Sequence, residues 1–361
     1  MARVMVAMSG GVDSTMAAAL LVEEGHDVTG VHLKMADTPS GLPGKGCCTL
    51  DDARDARRVA DRLDIPFYVW DFAQTFNDRV VTDFVDSYSQ GLTPNPCVRC
   101  NERVKYAALM QRALEAGFDT LATGHHVQLR QDPTGTVHLC RPVDPGKDQT
   151  YVLYMATQQQ LRHSAFPVGA YTKSRLRIMA TQRDLITANK PDSHDICFIP
   201  SGDTAGFLNS HLGSRPGPIR DADGTDIGSH DGAYRFTIGQ RRGLGIGGLD
   251  QPRFVTAIAG DTVTVGRRED LQVGRLQADA LTWTVAAPRP GAAGLTVQVR
   301  YHDEAFPATL DLTSDGTAMT VTFDQHCPIG VAPGQAVVVY DDDECLGGGT
   351  ITATEPTTLT T

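Results

Sequence analysis

The stretch that decides the fold is "RVMVAMSGGVDSTMAAALLVEEG", residues 3–25. It opens with a short apolar run typical of a buried strand, and from Asp13 its pattern is typical of a helix that Gly25 closes. Between the two, Gly10 and Gly11 permit a tight turn that brings backbone N–H groups close to a ligand. The start of a helix offers unpaired N–H groups and the positive end of its dipole to a phosphate. The stretch therefore predicts a phosphate-binding loop between a first strand and a first helix.

The same alternation of strands and helices continues over the next hundred residues. Further strands are predicted at "DVTGVHL" (27–33), "PFYVWDF" (66–72) and "FDTLATG" (118–124), and helices at 50–64 and 101–117. Short apolar strands that alternate with helices favour a parallel sheet covered on both faces. We therefore predict an α/β class with a Rossmann-like parallel sheet.

The composition of the chain changes twice after this region. A stretch dense in Gly, with Asp-Gly and Pro-Gly turn signals, predicts a small Gly-rich β module. Short strands rich in Thr and Val follow, which predict a C-terminal antiparallel β-barrel. The expected domains are a catalytic domain over 1–205, a small β-rich central domain over 206–275 and a barrel over 276–361.

Composition narrows the class of protein. The chain has 361 residues and a formal net charge of −11, with no secretory signal and no stretch long enough to cross a membrane, so we expect a cytoplasmic protein without a membrane partner. Eight cysteines in such a chain do not indicate a structural disulfide framework. The segment 162–190 is locally basic, with six Lys/Arg against one acid. It is either a solvated helix face or a surface that follows a phosphate backbone.

The phosphate loop "AMSGGVDST", residues 7–15, belongs to neither of the two commonest nucleotide motifs. It lacks the Gly-Lys-Ser/Thr ending of a Walker A loop and the Gly-x-Gly-x-x-Gly of a dinucleotide fold. Ser-Gly-Gly-x-Asp-Ser resembles the loop of ATP pyrophosphatases, which cleave ATP between the α- and β-phosphates. The resemblance implies that the loop holds the leaving pyrophosphate and that Asp13 helps to place Mg²⁺. Amidotransferases, synthetases and tRNA-modifying enzymes all use such a loop, so it does not identify the substrate.

The cysteines offer a second kind of chemistry. "TPNPCVRCN" (93–101) opens a helix with a Cys-x-x-Cys pair, which suits half a zinc site, a redox couple or one working thiolate. Thiolates near helix N-termini react more readily. A third cysteine, Cys197, lies in an apolar patch of "KPDSHDICFIP" (190–200).

Several motifs together resemble the bacterial tRNA-specific 2-thiouridylases over essentially the whole chain. Besides the phosphate loop and the two cysteine motifs, these are "GCCTLDDARDARRVADRLDIPFYVWDF" (46–72), "GKDQTYVLY" (146–154), "HDGAYRFTIGQRRGLGI" (230–246) and "PGQAVVVYDDDECLGGG" (333–349). The resemblance implies that ATP adenylates the C2 oxygen of the wobble uridine in tRNA. A persulfide on Cys197, loaded by an upstream sulfur-relay protein or a cysteine desulfurase, then delivers sulfur, and Cys100 acts as nucleophile. A transient Cys100–Cys197 disulfide would result.

The resemblance also implies the binding residues. Those for ATP are the loop and two residues near neighbouring strand ends: Ala7, Met8, Ser9, Gly10, Gly11, Val12, Asp13, Ser14, Leu33 and Gly124. Those for tRNA fall into three groups. Asn95, Pro96 and Cys97 would face the target base. The tRNA near that base would be contacted by His125, Lys147, Asp148 and Gln149, and contacts from the barrel would come from Arg300, Tyr301 and Gln335. Without the resemblance, His125 and His126 would be ordinary histidines at the end of a strand.

Three other interpretations compete with this one. Cys97 and Cys100 could hold zinc or an iron–sulfur cluster, completed by Cys47, Cys48 or Cys197. The chain could be an ATP-dependent amide-forming ligase, which needs no cysteine pair, or a tRNA-binding module without catalysis.

The chain also departs from the family at Cys97, where many members carry Asp. Either proton transfer at this position needs a thiol with a suitable pKa, or Cys97 only lines the pocket.

Overall fold

A computed structural model describes residues 1–35, 50–192, 196–199, 201–247, 251–289, 291–292, 294–324 and 326–357. Cys47 and Cys48 lie outside these residues, as do residues 193–195 and 200 of "KPDSHDICFIP". Within the described ranges, every helix is too short or too polar to span a lipid bilayer.

The first part of the chain alternates strands and helices as predicted. Its elements in order are β1 (Arg3–Ala7), α1 (Val12–Glu23), β2 (Asp27–Lys34), α2 (Leu50–Arg62), β3 (Phe67–Asp71), α3 (Ala73–Phe76), α4 (Thr82–Ser89), α5 (Pro96–Cys100), α6 (Met110–Glu115) and β4 (Thr120–Ala122). A π-helical turn, Asn77–Val81, joins α3 to α4, and a longer one, Asn101–Leu109, joins α5 to α6. The helix predicted over 101–117 therefore begins earlier, at Pro96.

The next elements connect the first domain to the rest of the molecule. They are β5 (Gln128–Gln131), β6 (Val137–Cys140), α7 (Gln158–Arg162), β7 (Ser164–Ala165), α8 (Lys173–Gln182) and α9 (Thr204–Leu212). Two short 3₁₀ turns, Pro145–Lys147 and Thr150–Val152, lie between β6 and α7.

Five strands form the predicted parallel sheet, in the order β3-β2-β1-β4-β7. Two apolar clusters cover it. One contains Met5, Val31 and Leu121, and the other contains Val4, Val6 and the buried face of α1. Neighbouring residues of β1 thus point into different clusters, as alternation along a strand requires. The Rossmann-like prediction is confirmed.

The central module is a four-stranded sheet. Its strands are β8 (Gly217–Arg220), β9 (Asp226–His230), β10 (Phe254–Ala259) and β11 (Thr262–Gly266), in the order β10-β11-β8-β9. A compact core that includes Ile219, Val255 and Val263 lies on it.

The C-terminal part is a closed antiparallel barrel of six strands. These are β12 (Val273–Trp283), β13 (Leu295–Gln298), β14 (Phe306–Leu312), β15 (Ala318–Phe323), β16 (Ala336–Asp341) and β17 (Glu344–Pro356). The order β12-β15-β14-β13-β16-β17 closes through pairing of β12 with β17. The predicted barrel is confirmed. A feature not predicted is that the β5–β6 hairpin of the first domain extends this sheet, with Cys140 opposite Glu344.

Candidate active site

The phosphate loop occupies the turn between β1 and α1. Gly10 has φ +77°, and a Cβ on it would lie 2.4 Å from the backbone oxygen of Asp52, so only glycine fits. The Ser14 hydroxyl accepts from the Ser9 N–H at 3.1 Å and donates to the Gly11 carbonyl at 3.2 Å. Gly11 is the N-cap of α1 and supplies no side chain to its first N–H groups. The loop is thus held in shape, while the start of the helix keeps donors for an anion.

Three strand ends meet beside this loop. In a parallel sheet the carboxyl ends of the strands share one edge, and ligands bind there. Leu33 lies near the end of β2, and Gly124 follows β4, on either side of β1. A Cβ on Gly124 would lie 2.5 Å from the backbone nitrogen of Ser14, so the chain after β4 packs directly against the start of α1. The residues predicted to bind ATP therefore lie along a single edge of the sheet.

Asp13, expected to help place Mg²⁺, is held by a lysine and a histidine. Lys173 Nζ donates to its two carboxylate oxygens at 2.8 and 2.6 Å, and His126 Nε2 lies 3.0 Å from Oδ1. Burial alone would raise the pKa of Asp13, but the hydrogen bond from His126 and the charge of Lys173 outweigh it and lower that pKa. Asp13 is therefore an ionised carboxylate beside the loop.

Lys173 also links the loop to the segment that precedes Cys197. Its Nζ lies 2.9 Å from Asp192 Oδ1, and Asp192 also pairs with Lys147 at 3.0 Å and Arg177 at 2.9 Å. Burial opposes ionisation of Asp192, but the hydrogen bonds from Lys173 and Lys147 prevail and bring its pKa to about 2. A continuous chain of charges thus runs from the phosphate loop to Asp192.

The helix that carries the Cys-x-x-Cys pair begins at Pro96. The Asn95 side chain caps it, accepting from the N–H groups of Cys97 at 3.0 Å and Val98 at 3.3 Å. Cys97 is exposed, whereas Cys100, one turn further on, is buried with its Sγ 4.0 Å from Met35 Sδ. The pair is therefore not symmetrical, because only one of its thiols faces solvent.

Cys197 is half-buried and packs on the apolar cluster that contains Cys100. Its neighbour Phe198 fixes the segment, with ring centroids 5.7 Å from Phe76 and 5.2 Å from Phe84 in edge-on contacts. Two cysteines far apart in sequence therefore share a single cluster.

Three residues predicted to contact the tRNA or its target base converge from three parts of the chain. The Tyr301 hydroxyl is hydrogen-bonded to the side chain of Gln149 and is close enough to Cys97 to interact with it electrostatically. Gln149 in turn accepts from the His126 N–H at 2.8 Å. Burial, as the main cause, raises the pKa of Tyr301 to about 12, so its hydroxyl remains a neutral donor.

Other predicted tRNA contacts are engaged within the protein. Asp148 pairs with Arg141 and accepts from Thr150, which shapes the turn before Gln149. Burial holds the pKa of His125 well below its usual range, and its Nδ1 lies 2.7 Å from the Thr123 hydroxyl. Asp148 is close enough to Tyr301 to interact with it electrostatically, whereas His125 packs against Tyr106 and Phe166.

Two of the three barrel residues predicted to contact tRNA, Arg300 and Gln335, lie at a cleft between domains. Gln335 donates to the Thr93 carbonyl at 2.7 Å, and Arg300 donates to the Gly330 carbonyl at 2.6 Å. The cleft has a volume of about 620 Å³. Its lining comes from all three parts of the chain and includes Thr93, Ile238, Gly239, Arg268, Arg300 and Gln335.

Sequence reasoning missed three residues of the site: His126, Lys173 and Asp192. Their partners are at least 15 residues away in the chain, so no local motif signals them. The basic segment that contains Lys173 makes ion pairs within the protein, which neither interpretation offered above includes. Four of its six cations pair with carboxylates of the same domain, namely Lys173, Arg177, Arg183 and Lys190.

The metal interpretation gains no support from the described part of the chain. There, no group of three or more His, Cys, Asp or Glu side chains is arranged to hold a metal ion. Cys47 and Cys48, two of the proposed ligands, lie outside that part.

Comparison with known families assigns the three regions in turn. The profile described as tRNA methyl transferase HUP domain matches residues 2–201, tRNA methyl transferase PRC-barrel domain matches 205–272, and Aminomethyltransferase beta-barrel domain matches 273–351. The parallel sheet and its phosphate loop thus form a HUP-class nucleotide-binding domain. Two β domains follow it in the chain. Among the proteins of this class, the chain belongs to the tRNA-specific 2-thiouridylase family.

The relatives that support this assignment match over nearly their whole length. The tRNA-specific 2-thiouridylase MnmA of Frankia casuarinae is 52% identical over 98% of this chain and 99% of its own. That of Acidothermus cellulolyticus is 51% identical, with 98% of both chains covered. A 4-thiouridine synthetase–RNA complex with bound ATP is 12% identical, with a TM-score of 0.35 over 58% of this chain and 50% of that one, and this likeness carries no argument.

Proposed function

We propose that this protein is an ATP-dependent tRNA-uridine 2-sulfurtransferase that replaces the C2 oxygen of the wobble uridine with sulfur and releases AMP and pyrophosphate. The observation that carries the proposal is the presence in one domain of a pyrophosphatase-type loop and of two cysteines on a shared apolar cluster. Relatives that are 51–52% identical and named as 2-thiouridylases support it. An amide-forming ligase would need the loop but not the cysteines.

The adenylation step uses the loop and the residues around Asp13. The N–H groups at the start of α1 would bind the leaving pyrophosphate. An ionised carboxylate beside phosphates is the kind of ligand that Mg²⁺ takes, so Asp13 fits that role. When bound there, Mg²⁺ would neutralise charge on the pyrophosphate. Lys173, now paired with Asp13, would then be available to contact a phosphate oxygen.

The sulfur step uses Cys197 and Cys100. An upstream sulfur-relay protein or a cysteine desulfurase loads Cys197 as a persulfide. The terminal sulfur attacks C2 of the adenylated uridine, and AMP leaves with the former C2 oxygen. Cys100 then attacks Cys197 Sγ. This breaks the bond between Cys197 and the transferred sulfur, which stays on the uridine, and forms the Cys100–Cys197 disulfide.

Recognition of tRNA is proposed for the group formed by Cys97, Gln149 and Tyr301 and for the cleft beside it. A stacked anticodon base must be extruded before chemistry at C2, and a pocket that reads its edge must hold it. The hydroxyl of Tyr301 and the amide of Gln149 are groups of the kind that read a pyrimidine edge. Arg300 and Gln335 would contact the RNA from the barrel.

We likewise propose the domain limits 1–205, 206–275 and 276–361.

Reconstitution tests the function directly. Purified protein, ATP, Mg²⁺, a sulfur donor and an unmodified tRNA with a wobble uridine are incubated, and digested nucleosides are analysed by mass spectrometry. We expect 2-thiouridine from the wild type and none from Cys100→Ser or Cys197→Ser. A Cys197→Ser variant that still converts ATP to AMP, with full formation of an amide product, would favour the ligase. Stoichiometric iron or zinc in anaerobically purified protein, lost in Cys100→Ser, would favour the metal site.

A further inference from the structure

The two thiols of "PCVRC" differ in exposure, and the proposed function leaves Cys97 without a chemical role. We propose that Cys97 is a resolving cysteine: it attacks Cys100 in the Cys100–Cys197 disulfide, moves the disulfide to Cys97–Cys100 at the surface and returns Cys197 as a thiol ready for the next sulfur. This inference rests on the proposed function, because that reaction is what generates the disulfide.

The positions of the two cysteines on the helix allow the exchange. Cys97 and Cys100 lie three residues apart in α5, the last element before the π-helical turn. Side chains three apart on a helix lie on the same face, with Cβ atoms ~5–6 Å apart. A disulfide needs a slightly closer approach of the two Cβ atoms, which a small adjustment of the first helical turn provides. Thiol pairs with this spacing at a helix start are a common redox arrangement.

The burial of the Cys100 and Cys197 sulfur atoms explains why the exchange is needed. Cys100 has 8% of its surface exposed, and Cys197 packs against the apolar cluster that contains it. Disulfide reduction requires a thiolate to reach one sulfur in line with the S–S bond, so a disulfide in this cluster is poorly accessible to an external reductant. Cys97 is exposed and lies one helical turn from Cys100. A disulfide moved to Cys97–Cys100 therefore presents a sulfur to solvent.

The step balances without a further reactant. The Cys97 thiolate forms a bond to Cys100 Sγ, the Cys100–Cys197 bond breaks, and Cys197 leaves as a thiolate that takes up a proton. The number of disulfides is unchanged. Reduction of Cys97–Cys100 then takes two electrons from an external dithiol reductant, which is oxidised to its own disulfide.

Disulfide mapping after one turnover tests the proposal. Persulfide-loaded enzyme reacts with ATP and tRNA without reductant, and the reaction is quenched in acid. The protein is then alkylated and cut with a protease that cleaves at acidic residues. No acidic residue lies between Cys97 and Cys100, so the two cysteines stay on one peptide. In the wild type we expect a disulfide within one peptide, Cys97–Cys100, and alkylated Cys197. In Cys97→Ser and in Cys97→Asp, which introduces the residue common among relatives, we expect the Cys100 and Cys197 peptides to be cross-linked. Cys327→Ser, a cysteine of the barrel, is the matched control and should map as the wild type.

A kinetic measurement complements the map. With a small dithiol as the reductant, we expect the ratio of the second-turnover rate to the first to fall at least tenfold in Cys97→Ser and Cys97→Asp but not in Cys327→Ser. Wild-type enzyme that forms 2-thiouridine yet retains Cys100–Cys197 with alkylated Cys97, or shows no disulfide, overturns the proposal. Wild-type enzyme that forms no 2-thiouridine contradicts the proposed function instead.

Discussion

At the scale of single residues, Lys173 connects the parts of the site. It is 8% exposed and lies between two carboxylates, Asp13 at the phosphate loop and Asp192 five residues before Cys197. A buried cation with two anionic partners is held firmly in the free protein. In the proposed adenylation step, the arrival of ATP phosphates and Mg²⁺ would change the balance of charge around Lys173.

Replacement of Lys173 tests this role. We expect Lys173→Met to lower kcat/KM for ATP, measured as AMP formation, by ~10²–10³, the effect of removing one preorganised donor to developing charge. Arg175→Met is the control, because Arg175 lies on the same helix and is exposed. Both variants are compared at a temperature at which thermal melts show them folded. An equal kcat/KM for the two variants would exclude a role for Lys173 in the ATP step.

At the scale of elements, the start of α5 combines a structural and a catalytic requirement. Asn95 was predicted to face the target base, and its side-chain oxygen caps the helix that positions both thiols. The cap alone accounts for an asparagine at this place.

Two substitutions of Asn95 separate these roles. Asn95→Ala should lower the free energy of unfolding by about 1 kcal/mol and reduce thiolation, because the cap is lost. Asn95→Ser keeps a capping oxygen and should keep both stability and most of the activity. Unfolding in denaturant and 2-thiouridine formation are the two measurements. A serine variant that is stable but inactive would show instead that Asn95 contacts the base.

The β5–β6 hairpin contributes a pH-dependent contact with the barrel. His138 lies 2.7 Å from Glu344 on β17 and 3.5 Å from Asp132, and the hydrogen bond with Glu344 is the main reason that the pKa of His138 is raised. A raised pKa means that the contact is fully stabilising below about pH 6.5 and weakens as the pH rises through the higher value of the folded state.

A pH series of thermal melts checks this contact. The stability difference between wild type and His138→Gln should be largest at pH 6 and shrink towards pH 8, by about 1 kcal/mol or less, since the pair is partly exposed. His211→Gln in the central part of the chain is the control. A difference that grows with pH would contradict the assignment of the raised pKa to Glu344.

At the scale of the whole molecule, the barrel holds the segment that leads to the thiols. Gln335 donates to the Thr93 carbonyl, and the Thr93 N–H donates to the Pro333 carbonyl at 2.8 Å. A Cβ on Gly334, which has φ +93°, would lie 2.9 Å from the Thr93 nitrogen. The catalytic domain therefore depends on the barrel for the position of Thr93 and, through it, of α5.

Gly334→Ala tests this dependence. We expect thiolation to fall ~10-fold or more, because misplacement of a catalytic group by about 1 Å is costly, while the affinity for ATP is kept. Gly316→Ala is matched to it, since Gly316 also has positive φ (+69°) but no atom within 4 Å of its Cβ position. Both substitutions carry the backbone cost of a positive φ, so the main difference is the contact with Leu92 and Thr93. Equal thiolation rates in the two variants would rule out a mechanical role for the contact.

Much of the fold could be predicted from the sequence because its signals are local. Apolar runs, helix periodicity and glycines predicted β1–β4, the loop and a C-terminal barrel of short strands. The β5–β6 hairpin was missed, and the helix start at Pro96 lies before the predicted helix over 101–117, although Asn95 followed by Pro96 is a start signal within the motif expected to open a helix. The pairing of β6 with β17 depends on residues 200 positions apart, which no periodicity records.

The sequence by itself determined the chemistry of the site: the phosphate loop, three cysteines and the family whose motifs they follow. Only the tertiary structure decided which groups meet. It placed Lys173 between Asp13 and Asp192, set Cys100 and Cys197 on one apolar cluster, and left Cys97 exposed. The physical reason is that residue type fixes what a group can do, whereas charge pairing and burial depend on neighbours that only the folded chain brings within a few ångströms.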